Sequence, residues 1–241
     1  MKNTNVFKRV EQKYLITKQE QKILLDAMKE HMQEDEHGRS TVISIYFDTQ
    51  SNLLIRRSMQ KPAYKEKLRI RSYGIATHDS KIFIELKKKY KSVVYKRRIS
   101  MPEKEAMDYL INGNRPDKNS QILNEIDYFI KINEGITSKM YISCDREAYF
   151  DMEDDNFRIT FDTNIMWRQD KLSLCECPYG TQILKDGMVL MEMKSVNGLP
   201  LWMTDILTKN HIYKTSFSKY GNAYKMAKEI KDMKILILKA S

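Results

Sequence analysis

The sequence predicts an α+β fold in which an antiparallel sheet curls into a β-barrel and helices flank it. The first observation behind this prediction is that apolar and ionic residues alternate along the strand-like segments, so that each kind would face one side of the sheet. The second is that Lys and Arg dominate the ionic positions, whereas a solvated sheet face usually mixes in Thr, Ser and Gln. A sheet curled around its charged face gives a barrel with an ionic lumen and an apolar exterior that helices cover.

The first quarter of the chain predicts strand, helix, strand and a short helix or loop. Residues 6–16 are predicted to form the first strand, and Thr17 and Glu20 have the spacing of a capping box for a helix expected to run to about residue 31. Residues 41–48 are rich in β-branched and aromatic side chains, which favours a second strand. Residues 52–59 are expected to be a short helix or a loop.

The middle of the chain predicts a three-stranded meander followed by two helices. The strands are expected at residues 64–73, 81–90 and 92–101, with a hairpin connection at 74–80. Pro102 suits a first helical turn, so helices are predicted at about 103–112 and 119–134, separated by Gly113, Asn114 and Pro116.

The remainder of the chain returns to strands and closes with helices. Strands are predicted at 141–150, 157–163 and 188–196, with a less regular one at 166–174. Helices are predicted at about 200–209 and 219–231. With 241 residues and 41% hydrophobic residues, the chain can form one globular domain over residues 1–241.

The charge balance favours an acidic partner. Lys and Arg number 42 against 32 Asp and Glu, which gives a formal net charge of +10. Nucleic acid, anionic lipid and a phosphate-rich small molecule would each fit such a balance. Nucleic-acid binding is disfavoured because it would need stacking aromatic residues beside the cations, and Phe83 and Tyr95 are the few that could lie there.

Cysteine usage and hydropathy predict a cytoplasmic protein. Cys144, Cys175 and Cys177 form no paired framework, and the chain opens without the apolar region of a signal peptide. Cys175 and Cys177 lack a second Cys/His pair at zinc-ligand spacing, so ordinary reduced thiols are expected there. No apolar run is long enough for a transmembrane segment, so any recruitment to a membrane would come through a membrane-protein partner.

The charged residues at alternate positions of the predicted strands define the candidate site. Glu-x-Lys occurs three times within strand-like segments. The residues expected on the charged faces of the strands are Arg9, Glu11, Lys13, Lys67, Arg69, Arg71, Glu85, Lys87, Lys96, Arg98, Arg158, Thr160, Asp162, Glu192 and Lys194. One interpretation is a solvated sheet face with cross-strand ion pairs. The other is a lumen that binds a polyanion, in which the carboxylates position the cations or hold a divalent ion that bridges phosphates. Glu192 is the favoured metal ligand, although an ion-pair role alone fits nearly as well.

Eight ordered motifs spread over nearly the whole chain resemble one family. They are Lys8-Arg-Val-Glu-Gln-Lys-Tyr-Leu15, Tyr46-Phe-Asp-Thr49, Lys67-Leu-Arg-Ile-Arg-Ser-Tyr73, Ile84-Glu-Leu-Lys87, Asp145-Arg-Glu-Ala-Tyr149, Phe157-Arg-Ile-Thr-Phe-Asp-Thr163, Leu190-Met-Glu-Met-Lys194 and Phe217-Ser-Lys-Tyr220. Together they resemble the polyphosphate polymerase domain of the vacuolar transporter chaperone (VTC) complex and its bacterial relatives.

This resemblance implies a triphosphate tunnel fold and transfer of the ATP γ-phosphoryl group to inorganic polyphosphate with Mn²⁺ or Mg²⁺. The implied ligands are thus ATP and polyphosphate, and Glu192 matches the metal-binding carboxylate. The implied catalytic residues are Arg69, Arg71, Lys87 and Arg146. The implied phosphate-binding residues are Lys13, Lys67, Lys96, Arg98, Arg158, Lys194, Ser218 and Lys219, of which Lys96 and Arg98 are looser matches.

Two alternatives remain open at this stage. Related CYTH-type phosphatases begin with Glu-x-Glu-x-Lys, whereas Arg9 stands at the first acidic position here, which favours the polymerase over a tripolyphosphatase or nucleoside triphosphatase. A non-catalytic domain that binds polyphosphate or inositol phosphates is the other alternative.

The four histidines, His31, His37, His78 and His211, are expected on the surface rather than in a catalytic role.

Overall fold

A ten-stranded antiparallel sheet forms the centre of the protein. The computed structural model describes residues 10–91, 93–196 and 198–240. Its strands are β1 Val10–Thr17, β2 Met32–Asp48, β3 Tyr64–Tyr73, β4 Lys81–Tyr90, β5 Val93–Pro102, β6 Thr137–Asp151, β7 Arg158–Arg168, β8 Thr181–Gln182, β9 Met188–Ser195 and β10 Lys214–Thr215. Their order is β10-β1-β9-β7-β6-β2-β3-β4-β5, and β8 pairs with β7 outside this path.

Six α-helices accompany the sheet in the described part of the chain. They are α1 Lys18–Met28, α2 Leu53–Met59, α3 Glu103–Met107, α4 Gln121–Ile132, α5 Leu201–Lys209 and α6 Lys219–Ala240. The predicted capping box of α1 is present, because Thr17 accepts from the Glu20 amide while the Glu20 carboxylate accepts from the Thr17 amide. After α3 the chain continues as a π-helical turn over Asp108–Asn112. Within the described residues, no helix is long and apolar enough to cross a membrane.

The sheet is curved so that strands near its two ends approach each other. Glu11 on β1 and Lys87 on β4 are far apart in the strand order, yet the Lys87 Nζ atom lies 3.0 Å from a Glu11 carboxylate oxygen. The strand ladder itself is not closed, because no backbone pairing joins β5 to β1 or β10 in the described residues. The predicted antiparallel tunnel with flanking helices is therefore confirmed, with side chains closing the gap between its edges.

Two apolar clusters cover the outer face of the curved sheet. One packs β2, β3 and β4 against α3 and α4 and includes the fully buried Leu68, Ile84 and Phe129. The other packs β1, β7 and β9 against α1 and α5 and includes Met191 and Met193, whose flexible side chains fill gaps between strand and helix. Because the apolar residues of each strand are buried on the outer face, the charged residues that alternate with them face the inside of the curved sheet.

A third apolar cluster lies on the inner face and is covered by α6. Tyr46 and Met140 are opposite each other on β2 and β6, and Tyr220 and Ala223 of α6 pack onto this cluster. The Tyr220 ring stacks on Tyr46 at 4.6 Å between centroids. The first turns of α6 therefore fill part of the tunnel interior and bring the residues at the start of that helix to the ionic wall.

Several boundaries differ from the prediction. The second strand begins at Met32 because its polar first half pairs with the far end of β6, a long-range contact that residue type does not reveal. The irregular strand predicted at 166–174 is divided: residues up to Arg168 extend β7 and the rest is a loop. The last helix extends to Ala240 rather than 231. Residues 6–9 of the predicted first strand lie outside the described residues.

Candidate active site: an ionic tunnel

The inner face carries the strand cations that the alternation of charged and apolar residues predicted, and Arg146 of β6 and Lys219 of α6 join them. Ten of the cations that line the tunnel are Lys13, Lys67, Arg69, Arg71, Lys87, Lys96, Arg98, Arg146, Lys194 and Lys219. Four carboxylates accompany them: Glu11, Glu85, Asp162 and Glu192. Ten cations against four carboxylates give this set a formal net charge of +6, so the tunnel is suited to a polyanion.

Glu85 binds three cations from two neighbouring strands. Its carboxylate accepts from Arg69 Nη2 at 2.7 Å, from Lys96 Nζ at 2.7 Å and from Arg98 Nε at 2.7 Å. Burial alone would raise the pKa of Glu85, but Arg69, Arg71, Lys96 and Arg98 outweigh it and hold that pKa well below its usual range. Glu85 therefore stays ionised and holds the guanidinium and ammonium groups in fixed positions.

A second cluster centres on Asp162 and Glu192. Arg146 donates from Nε and Nη2 to the two oxygens of Asp162, at 2.6 and 2.7 Å. Lys219 Nζ bridges Asp162 and Glu192, with 2.8 Å to the latter, and Lys13 Nζ lies 3.1 Å from the same Glu192 oxygen. Burial opposes ionisation of Asp162, yet Lys219 and Arg146 lower its pKa to about 2. This planar, two-donor pairing fixes the Arg146 guanidinium on the tunnel wall.

Glu11 connects this second cluster to β4. Its two carboxylate oxygens lie 3.2 Å from Lys13 Nζ and 3.0 Å from Lys87 Nζ. Burial would raise the pKa of Glu11, and the ammonium groups of Lys87 and Lys13 bring it below its usual value. The carboxylate thus spans the gap between the two edges of the sheet.

Three of these ten cations have no carboxylate within ion-pair distance in the described residues: Lys67, Arg71 and Lys194. Lys67 Nζ donates to Ser218 Oγ at 3.1 Å, and Arg71 Nε donates to Ser44 Oγ at 3.1 Å. Burial is the main cause that lowers the pKa of Lys67 to about 8 and that of Lys194 to about 8. These groups have the most to gain from an anion, because a phosphate oxygen would supply the missing counter-charge.

The start of α6 is fixed to the tunnel by polar contacts. Ser218 Oγ accepts from the Gly221 amide at 3.1 Å and so caps the helix. Tyr220 donates to the fully buried Asp48 at 3.0 Å, and Asp48 also accepts from the amides of Leu54 and Ile55 in α2. Asp48 therefore anchors α2 and α6 together, which places Ser218 and Lys219 beside β3, β7 and β9.

The structure brings most of the predicted site residues together, with one exception. Arg158 shares the inner parity but lies at the rim, where its side chain is 54% exposed and 3.9 Å from Asp35. The sequence predicts Glu85, Asp162 and Glu11 on the ionic face, as carboxylates that position cations or hold a divalent ion, and it indicates Tyr46 only as part of a motif. Tyr46 Oη accepts from Arg69 Nη1 at 2.9 Å, and although burial opposes it, Arg69 and neighbouring cations lower its pKa to about 8. The excess of cations over carboxylates on one face was the signal that these acids are positioning groups.

Glu192 is a carboxylate that could hold a divalent metal ion in the tunnel. Mn²⁺ and Mg²⁺ prefer carboxylate oxygens completed by phosphate oxygens and water, and Glu192 and Glu11 both reach the Lys13 ammonium group. Thr160 is opposite Glu192 on β7, and its buried Oγ1 has no hydrogen-bond partner in the described residues. An unsatisfied buried hydroxyl beside a carboxylate is consistent with a ligand at this point of the tunnel.

Comparisons with known proteins agree with this geometry. A candidate adenylate cyclase from Bacillus halodurans is similar in structure, with a TM-score of 0.55, 14% identity, and 89% of this chain and 94% of that chain covered. A candidate adenylyl cyclase from Hippeastrum, described as having a dominant triphosphatase activity, has a TM-score of 0.56, 16% identity and coverages of 90% and 94%. A sequence search among curated proteins found no match. The family model of the VTC domain matches residues 8–228, so the chain belongs to the VTC domain family.

Proposed function

We propose that this protein is a polyphosphate polymerase that transfers the γ-phosphoryl group of ATP to the end of an inorganic polyphosphate chain in the tunnel. The observation that carries the proposal is the excess of cations on the inner face, three of which have no carboxylate partner among the described residues. Membership in the VTC domain family supports it. A linear chain of phosphates is the ligand whose charge and shape fit a tunnel lined in this way.

The residues divide into roles according to their partners. Arg69, Arg71, Lys87 and Arg146 would contact the reacting phosphates, because they extend into the tunnel from three strands, β3, β4 and β6. The other cations, Lys13, Lys67, Lys96, Arg98, Lys194 and Lys219, would bind the remaining phosphates together with Ser218. Arg158, at the rim, would contact the chain where it enters or leaves.

The reaction requires alignment more than a protein nucleophile. A terminal oxygen of polyphosphate forms a new bond to the γ-phosphorus, the bond from that phosphorus to the β–γ bridging oxygen breaks, and ADP leaves. Charge builds on the equatorial and leaving oxygens, and fixed guanidinium and ammonium groups stabilise it without reorganising. Glu85 and Asp162 hold Arg69 and Arg146 in place for this purpose.

Glu192, with Glu11 and Thr160 nearby, would hold a divalent cation. Such a cation neutralises phosphate oxygens and orients the triphosphate. Lys13 and Lys219 contact Glu192 in the structure, and phosphate oxygens would become their new partners when a metal ion and nucleotide are bound.

The test is to incubate the purified protein with ATP and Mn²⁺, with and without a short polyphosphate primer, and to resolve products on a gel while ADP and free phosphate are quantified. A polyphosphate ladder with stoichiometric ADP and little free phosphate is the expected result. Free phosphate without a ladder would assign the tunnel to a triphosphatase. If neither product formed, the protein would instead be a domain that binds polyphosphate or inositol phosphates.

A matched pair of arginine variants separates the tunnel from the outer surface. Arg69→Ala should abolish elongation while the protein stays folded, because it removes a group that Glu85 holds in the tunnel. Arg97→Ala is the control, since Arg97 is on β5 but pairs with Glu125 of α4 on the outer face, 3.1 Å away. Near wild-type synthesis by Arg69→Ala, or equal losses in both variants, would count against the proposal.

A further inference from the structure

A second polar cluster lies on the outer side of the sheet, away from the tunnel. It consists of His78 from the loop between β3 and β4, Glu103 from the segment after β5, and Cys175 from the loop between β7 and β8. The ligand-type atoms of these three side chains all lie within 4.8 Å of one another, and His78 Nδ1 is 3.0 Å from a Glu103 oxygen. Cys175 packs against the outer apolar cluster of α3 and α4, so the group is on the opposite face from the tunnel.

Backbone hydrogen bonds hold the three segments together independently of these side chains. The amides of Glu103 and Lys104 donate to the carbonyls of Ser80 and His78, each at 3.0 Å. The Ala76 amide donates to the Leu174 carbonyl at 3.0 Å, one residue before Cys175. The main-chain positions of the three segments that carry these residues are therefore set before any ligand binds.

The loop that carries Cys175 is itself fixed by Arg168. The Arg168 guanidinium donates to the carbonyls of Asp170, Lys171, Cys177 and Tyr179, over distances of 3.1 to 3.4 Å. It also stacks against the rings of Tyr141 and Tyr179, 3.3 and 4.0 Å from their centroids. A loop organised around a buried arginine presents Cys175 in one orientation, as a metal ligand requires.

We propose that His78, Glu103 and Cys175 form a binding site for a zinc-class divalent cation, distinct from the hard-cation site at Glu192. A thiolate and an imidazole are ligands that Zn²⁺ takes readily, whereas Mg²⁺ and Mn²⁺ prefer oxygen ligands. One thiolate and one carboxylate also balance the two positive charges of the ion. His78 is 74% exposed, which leaves a fourth, solvent-facing position for water.

The three ligand atoms are near enough to one another to be drawn into a tetrahedral site. Metal–ligand bonds of about 2.0–2.3 Å place ligand atoms roughly 3.3–3.6 Å apart in a tetrahedron. The His78 and Glu103 atoms are already 3.0 Å apart, and no pair exceeds 4.8 Å, so side-chain rotations alone can complete the site. The sequence did not reveal it because the partners of Cys175 come from distant segments rather than from a second Cys/His pair nearby.

The competing interpretation is that Glu103 only accepts hydrogen bonds. The carboxylate is 3% exposed and has the His78 ring and the Cys175 thiol as neighbours, which would satisfy it without a metal ion. This interpretation predicts that replacing Cys175 by Ser, which keeps a donor of similar size, leaves metal affinity unchanged. The metal-site proposal predicts the opposite, so the two can be separated by binding measurements.

The experiment titrates the metal-free protein with Zn²⁺ alone, and with Co²⁺ as a spectroscopic probe, against two serine variants. Wild type and Cys177→Ser should bind Zn²⁺ with the same affinity, and with Co²⁺ both should give a thiolate-to-cobalt charge-transfer band, because Cys177 is exposed and outside the cluster. Cys175→Ser should lose the band and weaken Zn²⁺ binding at least tenfold. A charge-transfer band that survives in Cys175→Ser, or wild-type affinity no higher than that of Cys175→Ser, would overturn the proposal.

Thermal unfolding provides a second readout that does not depend on enzymatic activity. At a Zn²⁺ concentration a hundredfold above Kd, the wild-type Tm should rise by roughly 5–10 °C for a chain of this size. His78→Ala should fold normally, because that ring is largely exposed, and should lose most of the Zn²⁺-dependent rise. An equal rise in His78→Ala and wild type would show that Zn²⁺ binds elsewhere. Glu192→Gln should keep the full rise, since the tunnel is a separate site.

Discussion

Replacement of Glu85 by Gln tests whether the carboxylates hold the tunnel cations in place. Glu85 is 1% exposed and accepts from Arg69, Lys96 and Arg98, so Glu85→Gln leaves three cations close together without their counter-charge. Removing one partner of a buried ionic network costs about 3–5 kcal/mol. For a chain of this length, that corresponds to a fall in Tm of roughly 6–20 °C.

The assay is thermal and urea unfolding of Glu85→Gln beside Glu125→Gln as a matched control. Glu125 also pairs with an arginine of β5, Arg97, but on the outer face, where such a pair contributes about 0–1 kcal/mol. Tripolyphosphate should restore more stability to Glu85→Gln than to the wild type, because its oxygens supply the missing anion. Equal destabilisation by the two substitutions, or equal stabilisation by tripolyphosphate, would refute the reasoning.

Three further predictions concern protonation, anchoring and the rim. The pKa of about 8 of Lys67 and Lys194 lies below that of the unfolded chain, so stability without ligand should rise with pH between about 8 and 10.5. Tripolyphosphate binding at pH 8 should then be accompanied by proton uptake, and Lys194→Gln should reduce that uptake. Calorimetry in buffers of different ionisation enthalpy measures the number of protons taken up. Asp48→Asn should lower the free energy of unfolding by about 1.5–3 kcal/mol in urea, since Asp48 accepts from three amides and a phenol; unchanged stability would contradict its anchoring role. Arg158→Gln should change the elongation rate by less than about twofold, because that side chain is mostly solvated; a loss comparable to that of Arg69→Ala would place it inside the site.

The sequence predicts well which residues of a strand face the apolar core and which face the tunnel. Leu68 and Ile70 are fully buried on the outer face, while Lys67, Arg69 and Arg71 on the same strand point inwards. The alternation survives because a one-residue slip would exchange an apolar core for a row of cations. The bounds of β3 and β4 follow for the same reason, and both agree with the prediction.

Pairing between distant strands could not be predicted from the same pattern. Glu11 and Lys87 meet across the open flank of the sheet, and Tyr220 reaches Tyr46 only because α6 folds back into the interior. These contacts depend on sheet curvature and helix placement, which local residue type does not encode. The loop after Arg168 shows the same limit: its hydrophobic residues suggested a strand, but the hydrogen bonds of its carbonyls go to a buried guanidinium instead of a neighbouring strand.

The distribution of paired and unpaired cations suits a ligand that must both bind and move. If every cation lacked a counterion, the empty tunnel would be strongly self-repelling; if every cation were paired, an incoming phosphate would have to displace a carboxylate at each step. Glu85 and Asp162 neutralise and orient part of the wall, whereas Lys67, Arg71 and Lys194 remain available in the described residues. Lys13 and Lys219 share Glu192, so each can exchange a carboxylate contact for a phosphate contact with little change in net charge. Under the proposed function, this exchange lets successive phosphates pass the same groups without a deep energy minimum at any one position.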